Sequence, residues 1–297
     1  MKKFIINIIV FFAIMSFVDL AIGHLGDYLQ AHPMGGDTRR VNNLIMKDKH
    51  DILILGSSRA HHHYDSPFLS DTLGVDVYNA GFDGNGVILA YGFLEMILER
   101  YQPRLVVFDV EPAFDINVYT PDNNHVRYLG MLKPYYNQAN ICDIFKDVSI
   151  EEWYKVHSGL IRYNSTLIPK LIDYTMTRSA DKKGYIPIYA KYEGSPSYAR
   201  NNYELDNLKL EYIEKFIKLT KCHNVPLILV ASPKLGAKDS QVFQPVLDLC
   251  KKNGVNFLDY YSDPRFQNRS FYAEPMHLNN LGARVFTKDI YNVIDTI

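Results

Sequence analysis

Five short apolar runs set the terms for any fold this chain can adopt. They are Ile52-Leu53-Ile54-Leu55, Val75-Asp76-Val77-Tyr78, Leu105-Val106-Val107-Phe108-Asp109, Pro226-Leu227-Ile228-Leu229-Val230-Ala231 and Val255-Asn256-Phe257-Leu258. Each is too short for a stable helix, and most are continuously apolar rather than alternating, which reads as strands buried on both faces. Pro226 stands at the first position of its run, where a missing N–H is tolerated. Helical patterns separate the runs: Ser66–Leu73; Val87–Arg100, with Leu89, Phe93, Met96 and Ile97 on one face; and Asn202–His223, with Leu205, Leu208, Tyr212, Phe216 and Leu219 on one stripe. Ser240–Lys252, despite Pro245, and a last helix carrying Ala283, Phe286, Ile290, Val293 and Ile297 complete the series. Strand and helix alternating in this way predict an α/β fold, a three-layer α/β/α sandwich around a five-stranded parallel sheet.

The first strand ends in Gly56-Ser57-Ser58-Arg59. Open α/β sheets bind their ligands at the carboxyl ends of the strands. A serine beside the glycine can cap a following helix, whose unpaired N–H groups then point at the same place. Ser58 is therefore placed like a nucleophile with oxyanion donors beside it. A base is offered far downstream, in Tyr272-Ala273-Glu274-Pro275-Met276-His277-Leu278-Asn279. Glu274 and His277 are three apart in a turn tightened by Pro275. That spacing lets a carboxylate orient the imidazole while the other ring nitrogen takes a proton.

These two ends resemble the SGNH/GDSL hydrolase superfamily. Gly56-Ser57-Ser58-Arg59 is similar to its first block, and Glu274-x-x-His277 to its last, where aspartate is usual in place of Glu274. The Gly-Ser-Ser-Arg variant and the ending His277–Ala283 resemble a membrane-anchored branch associated with bacterial envelope polysaccharides. The resemblance covers residues 50–110 and 225–297. It implies a flavodoxin-like sheet, Ser58, His277 and Glu274 as catalytic residues, and an oxyanion held by the N–H groups of Ser58 and Gly81. Gly81 lies in Asn79-Ala80-Gly81-Phe82-Asp83-Gly84-Asn85-Gly86, whose glycines also suit a plain βα turn. The family's third block would put an asparagine donor at the end of the third strand, where this chain has Glu111. An ionised carboxylate cannot donate, and one lost donor costs about 10²–10³ in rate. Asn85 is a substitute candidate.

The implied activity is that of a serine esterase or O-acyltransferase, with acetyl as the group and cell-envelope polysaccharide as the substrate, and without a cofactor. The alternative is a non-catalytic envelope accessory protein that binds glycan or a membrane partner with the same fold. A nucleotide-binding domain using the Gly81–Gly86 loop is a weaker third, since no Gly-Lys-Ser/Thr sequence or Gly-x-Gly-x-x-Gly array is present. Arg59 adjoins the nucleophile and suits either an anionic substrate or a structural ion pair. Asp83, Asp109 and Glu111 have no spacing that argues for a cation. His61-His62-His63 could suggest a metal, but neighbouring helical side chains diverge and cannot all converge on one ion, so the run reads as a solvated helical face and no metal site is expected.

Met1-Lys2-Lys3 precedes an almost wholly apolar stretch, Phe4–Ile22, close to the roughly 20 residues a bilayer requires. The lysines predict a cytoplasmic N-terminus. The expected arrangement is a single-pass inner-membrane anchor (residues 1–23), a linker (24–50) holding a short helix at Arg39–Met46, and an extracytoplasmic domain (51–297). A cleaved signal, giving a secreted protein, and a buried soluble helix are the rivals. Residues 113–200 read as a mainly helical insertion serving as a lid, a packing subdomain or a surface for an envelope partner. Helices are expected in it around Ile141–Phe145, Ser149–Lys155 and Leu167–Tyr174, with Gly184–Tyr189 a short strand or extended loop. The net charge of −1 argues against nucleic acid. Cys142, Cys222 and Cys250 show no metal spacing and are expected to be free and buried.

Overall fold

The computed structural model describes residues 1–118, 125–138, 140–177, 182–194 and 204–296. In chain order the elements are helices α1 (Lys2–Ala31) and α2 (Gly36–Asn42), strand β1 (Ile52–Gly56), α3 (Ser58–His63), α4 (Ser66–Leu73), β2 (Val77–Asn79), α5 (Val87–Leu98) and β3 (Leu105–Asp109). They continue with α6 (Ile141–Val148), α7 (Ile150–Lys155), α8 (Gly159–Arg162), α9 (Leu167–Thr175), α10 (Asn207–Cys222), β4 (Leu227–Ala231), α11 (Gln244–Asn253), β5 (Asn256–Asp259), β6 (Tyr272–Glu274), β7 (His277–Leu278) and α12 (Asn280–Ile294). Asn202, the expected start of α10, and Ile297 lie outside the described residues. The chain forms two compact units, one of Asp48–Tyr128 with Asp181–Ile297 and one of Met1–Lys47 with Leu129–Ala180.

The first unit holds a five-stranded sheet of order β2-β1-β3-β4-β5. Every pairing is parallel. Alternate residues of the buried strands face opposite layers. Ile52, Ile54, Val107, Ile228 and Val230 join one core with Phe286 and Ile290 of α12. Phe108 points the other way, its ring 4.9 Å from Phe216 of α10, and α10 packs on α5. This is the three-layer α/β sandwich that the alternating pattern predicts. The strand order reverses between β1 and β3, and ligands of such sheets bind at that switch point. Gly56 ends β1 there, opposite Asp109 of β3. Its φ of +142° is a glycine conformation, and a Cβ would sit 2.7 Å from the Asp109 carbonyl oxygen.

Two local boundaries differ from expectation. β2 starts at Val77 rather than Val75, and Asp76 just before it takes both Asp51 N–H and Ile52 N–H on its carbonyl while its carboxylate meets His50 and Lys183. Pro245 sits in the first turn of α11, where its missing N–H costs nothing, so the helix begins at Gln244.

The second unit is helical and corrects the linker reading of residues 24–50. α1 runs past the expected anchor to Ala31, and Leu29, Val41, Leu44 and Ile45 are buried. Polar side chains of α1 hold the later helices. Asp19 accepts from Ser158 Oγ (2.5 Å), Gly159 N–H (3.2 Å) and Leu160 N–H (2.9 Å), capping α8. Tyr163 OH donates to Asp27 at 2.5 Å. Gln30 bonds Asn42, Tyr135 and Lys170. The residues of α1 up to Val18 are exposed, and the helix is long and apolar enough to cross a membrane. The three cysteines are free, but only Cys250 is buried; Cys222 is exposed, contrary to expectation.

Candidate active site

Ser57 caps α3 with its hydroxyl, so Ser58 becomes the first helical residue and stays partly exposed. Its own N–H belongs to the helix-start donors that have no intrahelical partner. Across the switch point, β6 and β7 form a small antiparallel hairpin with a bulge at Glu274. The spacing of Glu274, Pro275 and His277 predicts only a tight turn there. The hairpin delivers His277 Nε2 to 2.7 Å from Ser58 Oγ. His277 Nδ1 faces Glu274 Oε1, and Met276 N–H donates to Glu274 Oε2 at 3.2 Å. Burial works against the ionised Glu274, but the hydrogen bonds from His277 and Met276 outweigh it and hold the carboxyl below its ordinary range. Nδ1 is thus the donor to a carboxylate and Nε2 the acceptor from the serine hydroxyl. Folding brings Ser58 to the Glu274–His277 pair across the 219 positions that separate it from His277.

The hairpin is fixed from below by His63, which the sequence places on a solvated helical face. His63 is fully buried, accepts Leu278 N–H on Nε2 at 3.0 Å, and places Nδ1 3.0 Å from Ser232 Oγ. Burial, with the nearby charges of Arg59 and His277, pushes its pKa well below the ordinary histidine value, so the ring is neutral. Asn279 closes the other side by capping α12 and donating to the carbonyls of Ser270 and Tyr272.

The remaining expected site residues stand elsewhere. Arg59 and Glu111 are both buried, and Arg59 Nε lies 3.4 Å from Glu111 Oε2. Neither reaches solvent, which overturns both as substrate-binding residues. Glu111, at the end of β3, is thus the counter-ion of the buried Arg59. Asp109 lies beside them, accepting from Tyr64 OH at 2.5 Å, and burial pushes its pKa up to about 6 against the pull of Arg59. Asn85 is also displaced, since its side-chain N–H₂ donates to Asp83 O within its own turn. Gly81 is needed for close approach, because a Cβ would meet His61 N at 2.5 Å. Its N–H, however, donates to Asn79 Oδ1 at 3.0 Å. Of the two oxyanion donors expected, Ser58 N–H remains and Gly81 N–H is committed inside the protein. Asn79 also donates to the carbonyls of Ala60 and Tyr64, tying this loop to α3.

The histidine run is not a solvated face. His61 and His63 are buried, and His61 and His62 turn toward Asp83. The six-residue helix lies against the Asn79–Gly86 loop and the β6–β7 hairpin, and only Ser58 and His62 of it remain partly exposed.

No family model and no curated protein matches the chain. Among solved structures it is similar to a GDSL-like lipase from Bacteroides thetaiotaomicron, at 11% identity and a TM-score of 0.41, over 82% of this chain and 87% of the other. It is also similar to a Streptococcus pneumonia structure described as a platelet activating factor, at 12% identity and a TM-score of 0.44, over 95% and 98% of the two chains. A gut microbial diltiazem-metabolizing enzyme aligns at 14% identity and a TM-score of 0.38, over 82% of this chain and 46% of that one.

Proposed function

We propose that this chain is a serine esterase or O-acyltransferase of the SGNH/GDSL type, held at the inner membrane by α1 and acting outside the cytoplasm on acyl esters of envelope polysaccharide, with acetyl as the group. The observation that carries the reading is the 2.7 Å approach of His277 Nε2 to a partly exposed Ser58 Oγ at the switch point of the sheet, with Glu274 on the other ring nitrogen. His277 removes the hydroxyl proton as Oγ attacks the ester carbonyl carbon. The tetrahedral oxyanion faces Ser58 N–H at the start of α3. His277 then returns the proton to the departing sugar oxygen, leaving an acyl-serine. Water, or a second sugar hydroxyl deprotonated by the same imidazole, takes the acyl group and restores Ser58. With Gly81 N–H committed and Glu111 paired, the site is expected to run about 10²–10³-fold slower per absent donor than a fully equipped one.

The test is acetate release from O-acetylated polysaccharide and from an aryl acetate by the full-length chain in detergent. Release by wild type and its loss in Ser58→Ala supports the reading; equal rates in the two proteins contradict it. The commitment of Gly81 N–H to Asn79 favours a second reading, a glycan-binding protein without turnover. That reading requires polymer binding unaltered by Ser58→Ala and no acetate release from either protein.

A further inference from the structure

We infer that His61, His62 and Asp83 form a binding site for a divalent transition-metal ion of the zinc class, at the rim of the serine site and separate from it. The three offer ligand atoms that all lie within 4.8 Å of one another. His61 Nδ1 is 2.8 Å and His62 Nε2 3.2 Å from the same carboxylate oxygen, Asp83 Oδ1. Zinc bonds of about 2.0–2.2 Å at tetrahedral angles separate neighbouring donors by about 3.3–3.5 Å. His62 already stands near that separation from Asp83, while His61 must move off the carboxylate oxygen by about 0.5–0.7 Å, and the two imidazole nitrogens, within 4.8 Å of each other, converge on the same point.

The tautomer of His62 sharpens the case. Its Nδ1 lies 2.7 Å from Ile186 O, and a carbonyl oxygen only accepts, so Nδ1 carries the hydrogen. In the neutral ring Nε2 then presents a lone pair to a carboxylate oxygen, which is repulsive unless a cation stands between them. A proton can fill that role only by making His62 an imidazolium, in a ring stacked 4.9 Å from His61 and edge-on to His277 at 5.6 Å. A divalent ion satisfies both imidazoles and the carboxylate at once. The Ile186 carbonyl also supplies the outer hydrogen bond that metal-bound histidines characteristically make. Two nitrogens and one oxygen suit zinc and its neighbours over magnesium or calcium. The Asp83 side chain is 61% exposed, so solvent reaches the cluster and can complete the coordination as water. Bound there, the ion ties the glycine-rich turn after β2 to α3, the helix that Ser58 begins.

The test uses zinc alone as the probe, with tag-free full-length chain in detergent, stripped by a chelator and titrated by calorimetry, with bound metal measured after dialysis. Asp83→Ala and His62→Ala are compared with wild type, and thermal unfolding without metal reports whether each variant keeps its fold. The expected result is one zinc per chain in wild type, a rise in melting temperature on binding, and an affinity at least about 100-fold weaker in both variants. Asp83, being largely exposed, should be replaced without loss of the fold, so that variant decides the matter if His62→Ala does not fold. Ser58→Ala is expected to bind zinc like wild type, which separates this site from the esterase reading. Fewer than one tightly bound zinc in wild type, or wild-type affinity in a folded Asp83→Ala, overturns the inference.

Discussion

The two units of this chain are held together by different means. In the sheet unit, continuous apolar strands are buried on both faces and meet through backbone hydrogen bonds and packed side chains. In the helical unit the later helices are short, and single polar side chains of α1 fasten them: Asp19 to α8, Asp27 to Tyr163, Gln30 to Asn42, Tyr135 and Lys170. Burial of a periodic apolar pattern is cooperative and spread over many residues. A cap is local, and its loss is felt where it sits. The serine site stands wholly on the first kind of scaffold, where side chains can be held rigidly enough for chemistry.

Substitutions can break or sharpen this contrast. The largest effect is expected at His277. His277→Ala should lower ester turnover by about 10⁴-fold or more, as removal of a base from such a site does, while thermal unfolding of both units stays as in wild type. A matching loss of stability would mean that the ring is structural. Next is the buried pair under the site. Glu111→Ala leaves Arg59 charged, buried and without its nearest counter-ion, and should cost about 3–5 kcal/mol by chemical denaturation. A neutral outcome would remove this pair as a support of the sheet unit.

The sheet unit was legible because its signals are local. Four apolar residues ending in Gly56 announce a buried strand with Ser58 at its tip, and Glu274-x-x-His277 fits within one hairpin. What escaped is what only tertiary structure pairs. Nothing near Arg59 points to Glu111, and nothing near Gly81 says that Asn79 consumes its N–H. His63 reads as one of three similar histidines until Leu278 is placed upon it. The helical unit suffers most from this. α8 is four residues long, and its local cap Ser158 is completed by an aspartate 139 positions away. The linker reading of residues 24–50 failed for the same reason, since Val41, Leu44 and Ile45 are buried by segments distant in sequence.

Two smaller effects follow. Asp109 has its pKa raised to about 6 by burial, against an ordinary 3.8. Between those values the folded state holds a proton that the unfolded state has lost, so this group makes stability fall as pH rises, by about 1.4 kcal/mol per unit. Asp109→Asn should abolish that slope, leaving wild type minus variant falling by about 2 kcal/mol from pH 4 to 6 in denaturant titrations. A difference independent of pH would contradict the assignment. The smallest effect is expected at the cap: Asp19→Ala should cost about 1–2 kcal/mol. It should speed proteolysis within residues 141–177 without altering the unfolding of the sheet unit. Loss of both units together would erase the contrast between them.

The central claim is that folding gives Ser58 an activated hydroxyl, and covalent labelling tests it most directly. Full-length protein in detergent is treated with a fluorophosphonate, digested and mapped by mass spectrometry. One adduct is expected, on Ser58, absent in Ser58→Ala and slowed at least about 10³-fold in His277→Ala. A folded wild-type protein that takes up no label at Ser58, or takes it up equally fast without His277, would contradict it.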